Sequence, residues 1–117
     1  MPYVKEKKPI ICICITSKFS GSYQSAVNAA NIIKEDYSDA KITVIDSLNV
    51  SLGESIMVIY ANKRKDEGAS YEEVVEAIEA FKNHINVQFT VNDLFHLQRG
   101  GRVGKTTAIV GTALDLK

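Results

Sequence analysis

The stretch Leu97–Thr107, LQRGGRVGKTT, gathers glycines, basic residues and a Gly-Lys-Thr triplet, the residue types that cradle a nucleotide phosphate. That chemistry depends on spacing. In G-x-x-x-x-G-K-[ST] the first glycine lets several backbone N–H groups turn inward onto one phosphate. Counting back from Gly104-Lys105-Thr106 puts that glycine at position 99, which is Arg99. A phosphate loop also leaves a buried strand, whereas Asp93–Arg99 (DLFHLQR) reads as a helical turn or two. A nucleotide-dependent enzyme is therefore not expected from this stretch.

A second stretch, Thr16–Tyr23 (TSKFSGSY), carries many hydroxyls and a glycine immediately before an amphipathic helix. Backbone N–H groups and the positive end of a helix dipole make such a loop a seat for a carboxylate or phosphate. The same residues also allow a purely local reading, in which Ser20 or Ser22 caps the helix. Neither reading supplies a nucleophile. The G-x-S-x-G elbow of serine hydrolases is absent, and the two histidines, His84 and His96, lie far along the chain near helix ends. No paired-carboxylate constellation stands out, so no catalytic residue is expected. Cys12 and Cys14, two apart on one strand face, have no further Cys or His nearby at ligand spacing. They read as small buried hydrophobes in a reducing compartment, and neither a metal site nor a cofactor is expected.

The elements that must position these residues follow from periodicity. Ile10–Ile15 is a short apolar run ended by Thr16, as in a strand covered on both faces of a parallel sheet. Tyr23, Ala26, Val27, Ala30, Ile33 and Tyr37 recur at helical spacing, predicting a helix from Ser22 to about Glu35. Lys41–Asp46 (KITVID) is a second strand, and strand–helix–strand with short links is a βαβ unit with parallel strands. Its carboxyl edge, where open α/β sheets bind ligands, carries the Thr16–Tyr23 loop and Asp46-Ser47. A helix is predicted from about Leu52 to Lys65, ended by Gly68. Ser70 with Glu73 forms a capping box ahead of the stripe Tyr71, Val74, Val75, Ile78 and Phe81. Asn86–Val91 (NVQFTV) alternates strictly and predicts a third strand. Asn92 or Asp93 then caps a short helix that Gly100 terminates; the pattern of Lys105–Leu116 fits a helix or an irregular tail.

The composition suits one globular α/β domain. Hydrophobic residues make up 45% of the chain, and fourteen basic residues cancel fourteen acidic ones. No net field draws it to nucleic acid or an anionic membrane. No apolar run approaches the ~20 residues of a membrane span. Residues 1–8 are a polar, lysine-rich segment without the apolar core of a signal peptide, which leaves the cytoplasm as the expected location.

Taken in order, several segments resemble one family. SKFSGSYQSA (Ser17–Ala26) resembles the S-x-L-S-G-T-Y-Q-S-A signature of the DegV family. VIDS (Val44–Ser47), EGASYEEVVEAIE (Glu67–Glu79) and VNDLFHLQRGGRVG (Val91–Gly104) continue the likeness. LQRGGRVG is similar to its L-x-x-G-G-R-[IV] segment, and the final GTALDLK to its G-x-x-L-x-[IL]-K-P. The resemblance runs over residues 9–117. It implies a mainly parallel α/β sheet with helical crossovers, a single-domain fragment of a DegV-like fold.

The resemblance further implies a protein that binds a long-chain fatty acid, its acyl chain in a buried tunnel and its carboxylate near the strand ends. Such a protein performs no catalysis itself and presents the carboxylate to a fatty acid kinase. The serine that supports the carboxylate maps to Ser17, with Ser20 second and Gly21 completing the S-x-x-S-G signature; the arginine of G-G-R maps to Arg102. The family also has an N-terminal strand and a second α/β domain that this chain lacks, so it corresponds to the family's central part. Ser22 stands where the family usually has threonine. Apolar faces left uncovered would favour a homo-oligomer, and the alternative function is a ligand-free interaction domain.

Overall fold

A computed structural model of the chain describes residues 2–114. Two compact units divide it, Met1–Val87 and Gln88–Lys117.

The first unit is built on a parallel pair of strands, β1 (Ile10–Cys14) and β2 (Ile42–Asp46), joined by helix α2 (Ser22–Asp36). Partners run in register from Ile10 with Ile42 to Cys14 with Asp46. Alternation along each strand divides its side chains between two helical layers. Ile10, Ile42 and Val44 pack with Ala30 and Ile33 of α2 and with Tyr37, the residue that caps it. On the other face Ile11, Ile13 and Ile45 pack with Met57 of α3 (Leu52–Asp66) and with Val74 and Ile78 of α4 (Tyr71–Phe81). Ile45, Met57 and Ile78 have no exposed surface, so this second layer holds the most deeply buried part of the core. Helices on both faces are what the nearly unbroken apolar run IICIC requires.

The local signals read from the sequence act as anticipated at α3 and α4. Gly68 takes φ +90 after α3, and the Ala69 N–H reaches back to the Arg64 carbonyl at 3.1 Å. At α4 the Ser70 hydroxyl accepts the Glu73 N–H, while the Glu73 carboxylate accepts the Ser70 N–H at 2.7 Å. The N-terminal segment holds more structure than its polar composition indicated. Pro2–Lys5 forms a short helix, α1, whose Val4 is buried with Ala30 and Ile42.

One element differs outright. Asn86–Val91 forms no strand. Period-two alternation is a local property, whereas a strand exists only if a neighbour takes its backbone hydrogen bonds; among the described residues the sheet has two strands only.

The second unit contains α5 (Leu94–Arg99) and α6 (Lys105–Ala113). Asp93 caps α5 through its Oδ1, which accepts the Phe95 N–H at 2.8 Å. Gly101, not Gly100, takes the left-handed conformation after it, with φ +75 against −75. The undecided stretch after Gly104 is helical to Ala113; the remaining part of the GTALDLK segment, 115–117, lies outside the described residues.

Candidate functional site: the carboxyl edge of the strand pair

Two loops leave the carboxyl ends of β1 and β2 and are stitched together by buried polar groups. Thr16, Ser47 and Asn49 are all nearly inaccessible. The Thr16 N–H donates to the Asn49 carbonyl at 2.9 Å, and the Ser47 N–H donates to the Cys14 carbonyl at 3.0 Å. Ser47 Oγ donates to the Asn49 carbonyl at 3.0 Å and accepts the Asn49 N–H at 3.1 Å. Asn49 Nδ2 donates to the Ser47 carbonyl at 2.8 Å. Buried polar groups are tolerated when paired this fully, and the pairing makes the platform rigid. Its turn also holds two non-glycine residues at positive φ, Leu48 at 55 and Ser51 at 49. Such backbone strain persists only where the surroundings over-determine it.

The hydroxyl loop rests on this platform. Thr16 turns the chain by accepting, on its carbonyl, the N–H groups of Phe19 at 3.0 Å and Ser20 at 3.2 Å. Ser17 is exposed, and its N–H donates to Asp46 Oδ1 at 3.2 Å; the same oxygen accepts the Leu48 N–H at 3.1 Å. Burial of Asp46 opposes its ionisation. The Ser17 hydroxyl, the Leu48 and Ser17 N–H groups and the nearby Lys82 ammonium outweigh that effect and hold its carboxyl below the usual carboxylate value. Ser20 Oγ accepts the Ser22 N–H at 3.2 Å, so Ser20 performs part of the capping its position allowed. The N-cap itself is Gly21, which has no side chain to contribute and an ordinary φ of −75. A methyl group there would meet nothing within 4 Å, so Gly21 leaves the helix end open to approach.

The structure thus brings Ser17, Ser20 and Gly21 together on one loop. Arg102 belongs to the second unit, where its guanidinium is exposed and donates to the Gly100 carbonyl. The stretch that imitated a phosphate loop has no strand before it; α5 precedes it and Gly104 caps α6. His96 is exposed, and exposed His84 places Nδ1 3.0 Å from the Ala80 carbonyl. Thr16 and Asn49 escaped sequence reasoning: Thr16 looked like one more loop hydroxyl, and Asn49 sits at no motif spacing. Only a Ser-x-Asn turn signature marks the latter.

Beside β1, on the face covered by α3 and α4, lies an apolar groove of about 470 Å³. Ile11 and Ile13, Val58 and Ala61, and Tyr71 and Val74 line it, with Lys65 and Asn62 adding polar groups. Its size falls within the roughly 300–1,000 Å³ of small-molecule sites. Among the described residues, no group of three His, Cys, Asp or Glu could hold a metal ion.

A parallel α/β unit with a rigid polar platform at its carboxyl edge and an apolar groove along one strand has the form of a ligand-binding domain. Residues 2–117 match the model of a family described as an uncharacterised protein family, DegV. The chain belongs to the DegV family. It is 36% identical over 115 residues to a DegV domain-containing protein of Streptococcus pyogenes serotype M3, covering 98% of this chain and 40% of that protein. A relative from Clostridium perfringens is 37% identical, with the same coverage. The chain therefore spans about two fifths of the length of these relatives.

Solved structures agree on the fold. A stearic acid-binding protein from Eubacterium ventriosum superimposes with a TM-score of 0.75 at 35% identity, covering 90% of this chain and 36% of that one. The fatty acid kinase B3 protein of Streptococcus pneumoniae, loaded with linoleic acid, gives 0.71 at 35% identity, covering 94% and 39%. A DegV protein of Ruminococcus gnavus, refined with vaccenic acid, gives 0.79 at 28% identity, covering 89% and 39%. No described helix is long and apolar enough to cross a membrane.

Proposed function

We propose that this chain binds a long-chain fatty acid, with the carboxylate held at the Ser17–Gly21 loop and the acyl chain against the apolar face of β1. The carrying observation is the S-K-F-S-G loop, fixed on a buried polar platform at the end of a strand whose flank is an apolar groove. The fatty acids named with the solved relatives support the same ligand class. Hydroxyl and N–H donors suit a carboxylate, and buried methylenes supply most of the affinity at ~0.8 kcal/mol each. Arg102, in its separate unit, enters on the family resemblance, as a cation for the head group. The chain acts as a carrier, without chemistry of its own, in the cytoplasm; a fatty acid kinase is the partner that the Streptococcus pneumoniae relative suggests.

Lipid extraction of the purified protein followed by mass spectrometry tests the reading: an acyl chain should co-purify or bind on addition, and its absence removes the proposal. Ser17→Ala should lose about 1.5–3 kcal/mol of acid binding, tenfold to a hundredfold in affinity. Arg102→Ala should weaken the acid and spare its methyl ester; equal losses would assign Arg102 a structural role. The second reading, a ligand-free interaction domain, draws on the exposed apolar residues Leu52 and Ile59 of α3.

A further inference from the structure

We infer that Asp46 is a specificity-determining residue of the head-group loop, a resident carboxylate that competes with the ligand's carboxylate for Ser17. This inference rests on the fatty-acid reading above and sharpens it.

The last rung of the β1–β2 ladder pairs Cys14 with Asp46, so the Asp46 side chain stands beside the loop that leaves β1. Its Oδ1 already takes the Ser17 N–H at 3.2 Å and the Leu48 N–H at 3.1 Å. Both bonds position the two loops. They also occupy the Ser17 N–H before any ligand arrives. A ligand carboxylate bound through the Ser17 hydroxyl then lies at most about 9 Å from Asp46, because two hydrogen bonds and the short span from N to Oγ of one serine separate them.

Two unit negative charges at about 9 Å repel strongly enough to weaken binding by roughly twentyfold at an effective dielectric near 20, and more at closer approach. Exposure of Ser17 and salt screening reduce this to about tenfold. The groups around Asp46 do not cancel the repulsion. Lys82, on the turn after α4, is the cation that favours the charged form, but its ammonium is also paired with Glu79. Cys14 lies across the ladder with Glu54 of α3 acting on it, and neither adds positive charge. Asp46 therefore orders the loop while discriminating against an anionic head group; a neutral head group escapes the discrimination.

Asp46→Asn keeps an oxygen acceptor for both N–H groups and removes the charge. Titrated with palmitic acid and with methyl palmitate, Asp46→Asn should bind the acid about tenfold more tightly than wild type and the ester unchanged. If Asp46 were merely structural, acid and ester would weaken together, and that result overturns the inference. A wild type that binds neither probe instead sinks the fatty-acid reading, and the inference with it. A second measurement needs no variant: carboxyl-13C palmitate bound to wild type, followed by NMR against pH, should titrate above the ordinary carboxylate range, as one of two neighbouring carboxyls must. A bound carboxyl titrating within that range overturns the inference even if Asp46→Asn fails to fold.

Discussion

At the scale of single residues, Cys14 shows how neighbours define a side chain. Its thiol is 8% exposed and lies 3.7 Å from the Cys12 sulfur. Burial, the hydrogen bond shared with Cys12 and the negative charges of Cys12, Glu54 and Asp46 push it up to about 11 from 9.0. Because the folded value lies above the unfolded one, the folded state keeps a proton that the unfolded state releases. The resulting stability is present below pH 9 and is lost as pH rises towards 11, an effect of about 2 kcal/mol. Urea unfolding at pH 8, 9, 10 and 11 should therefore show a shallower alkaline decline for Cys14→Ala than for wild type; parallel declines would refute the assignment. The IICIC run made the burial of Cys14 legible, whereas Cys12, expected to be buried as well, is only half-buried. The carboxylates around Cys14 were not legible, because they arrive from β2 and α3.

Among elements, the best-read parts were those whose signals are local and complete. The Ser70 capping box and the Gly68 stop each carry their determinants within a few residues, and each strand and helix of the βαβ unit carries its own periodicity. The Asn86–Val91 expectation failed because alternation says nothing about a partner strand. The Leu48–Ser51 turn was illegible for a different reason: leucine and serine give no hint of positive φ. Packing fixes that turn against α3. A methyl group on Gly53 would stand 2.4 Å from Val87 Cγ2 and 2.8 Å from Asn49 Oδ1. Helix propensity favours alanine over glycine by about 1 kcal/mol, whereas overpacking a filled site costs about 1–3 kcal/mol. The clash should win, so Gly53→Ala is expected to lower Tm. A raised Tm would mean that Asn49 and Val87 yield freely.

For the whole molecule, the sequence located the Ser17–Gly21 loop correctly at the carboxyl edge, since the order of strand, loop and helix determines that placement. It could not say which compact unit holds Arg102, because a resemblance supplies a role without a geometry. Leu52, Ile56 and Ile59 run along one side of α3 at spacings of four and three and are 75%, 47% and 68% exposed. An apolar stripe of this kind favours self-association. Sedimentation at micromolar concentration should show a dimer or larger species, and Ile59→Glu should shift it towards monomer; a wild-type monomer would count against assembly through this stripe.

The ladder also bears on the order in which the protein is made. Every β1 residue pairs with one 32 positions further along, as Ile10 does with Ile42. All partners of β1 have therefore left the ribosome's catalytic centre once Asp46 is added, while α3 to α6 are still untranslated. Closing so short a loop carries a small entropic penalty, and halving it would save only about 0.6 kcal/mol. Chain emergence and contact formation thus follow the same direction. The polar platform at the strand ends is completed by residues that appear next in synthesis, so the part proposed to meet the ligand can be assembled before either C-terminal helix exists.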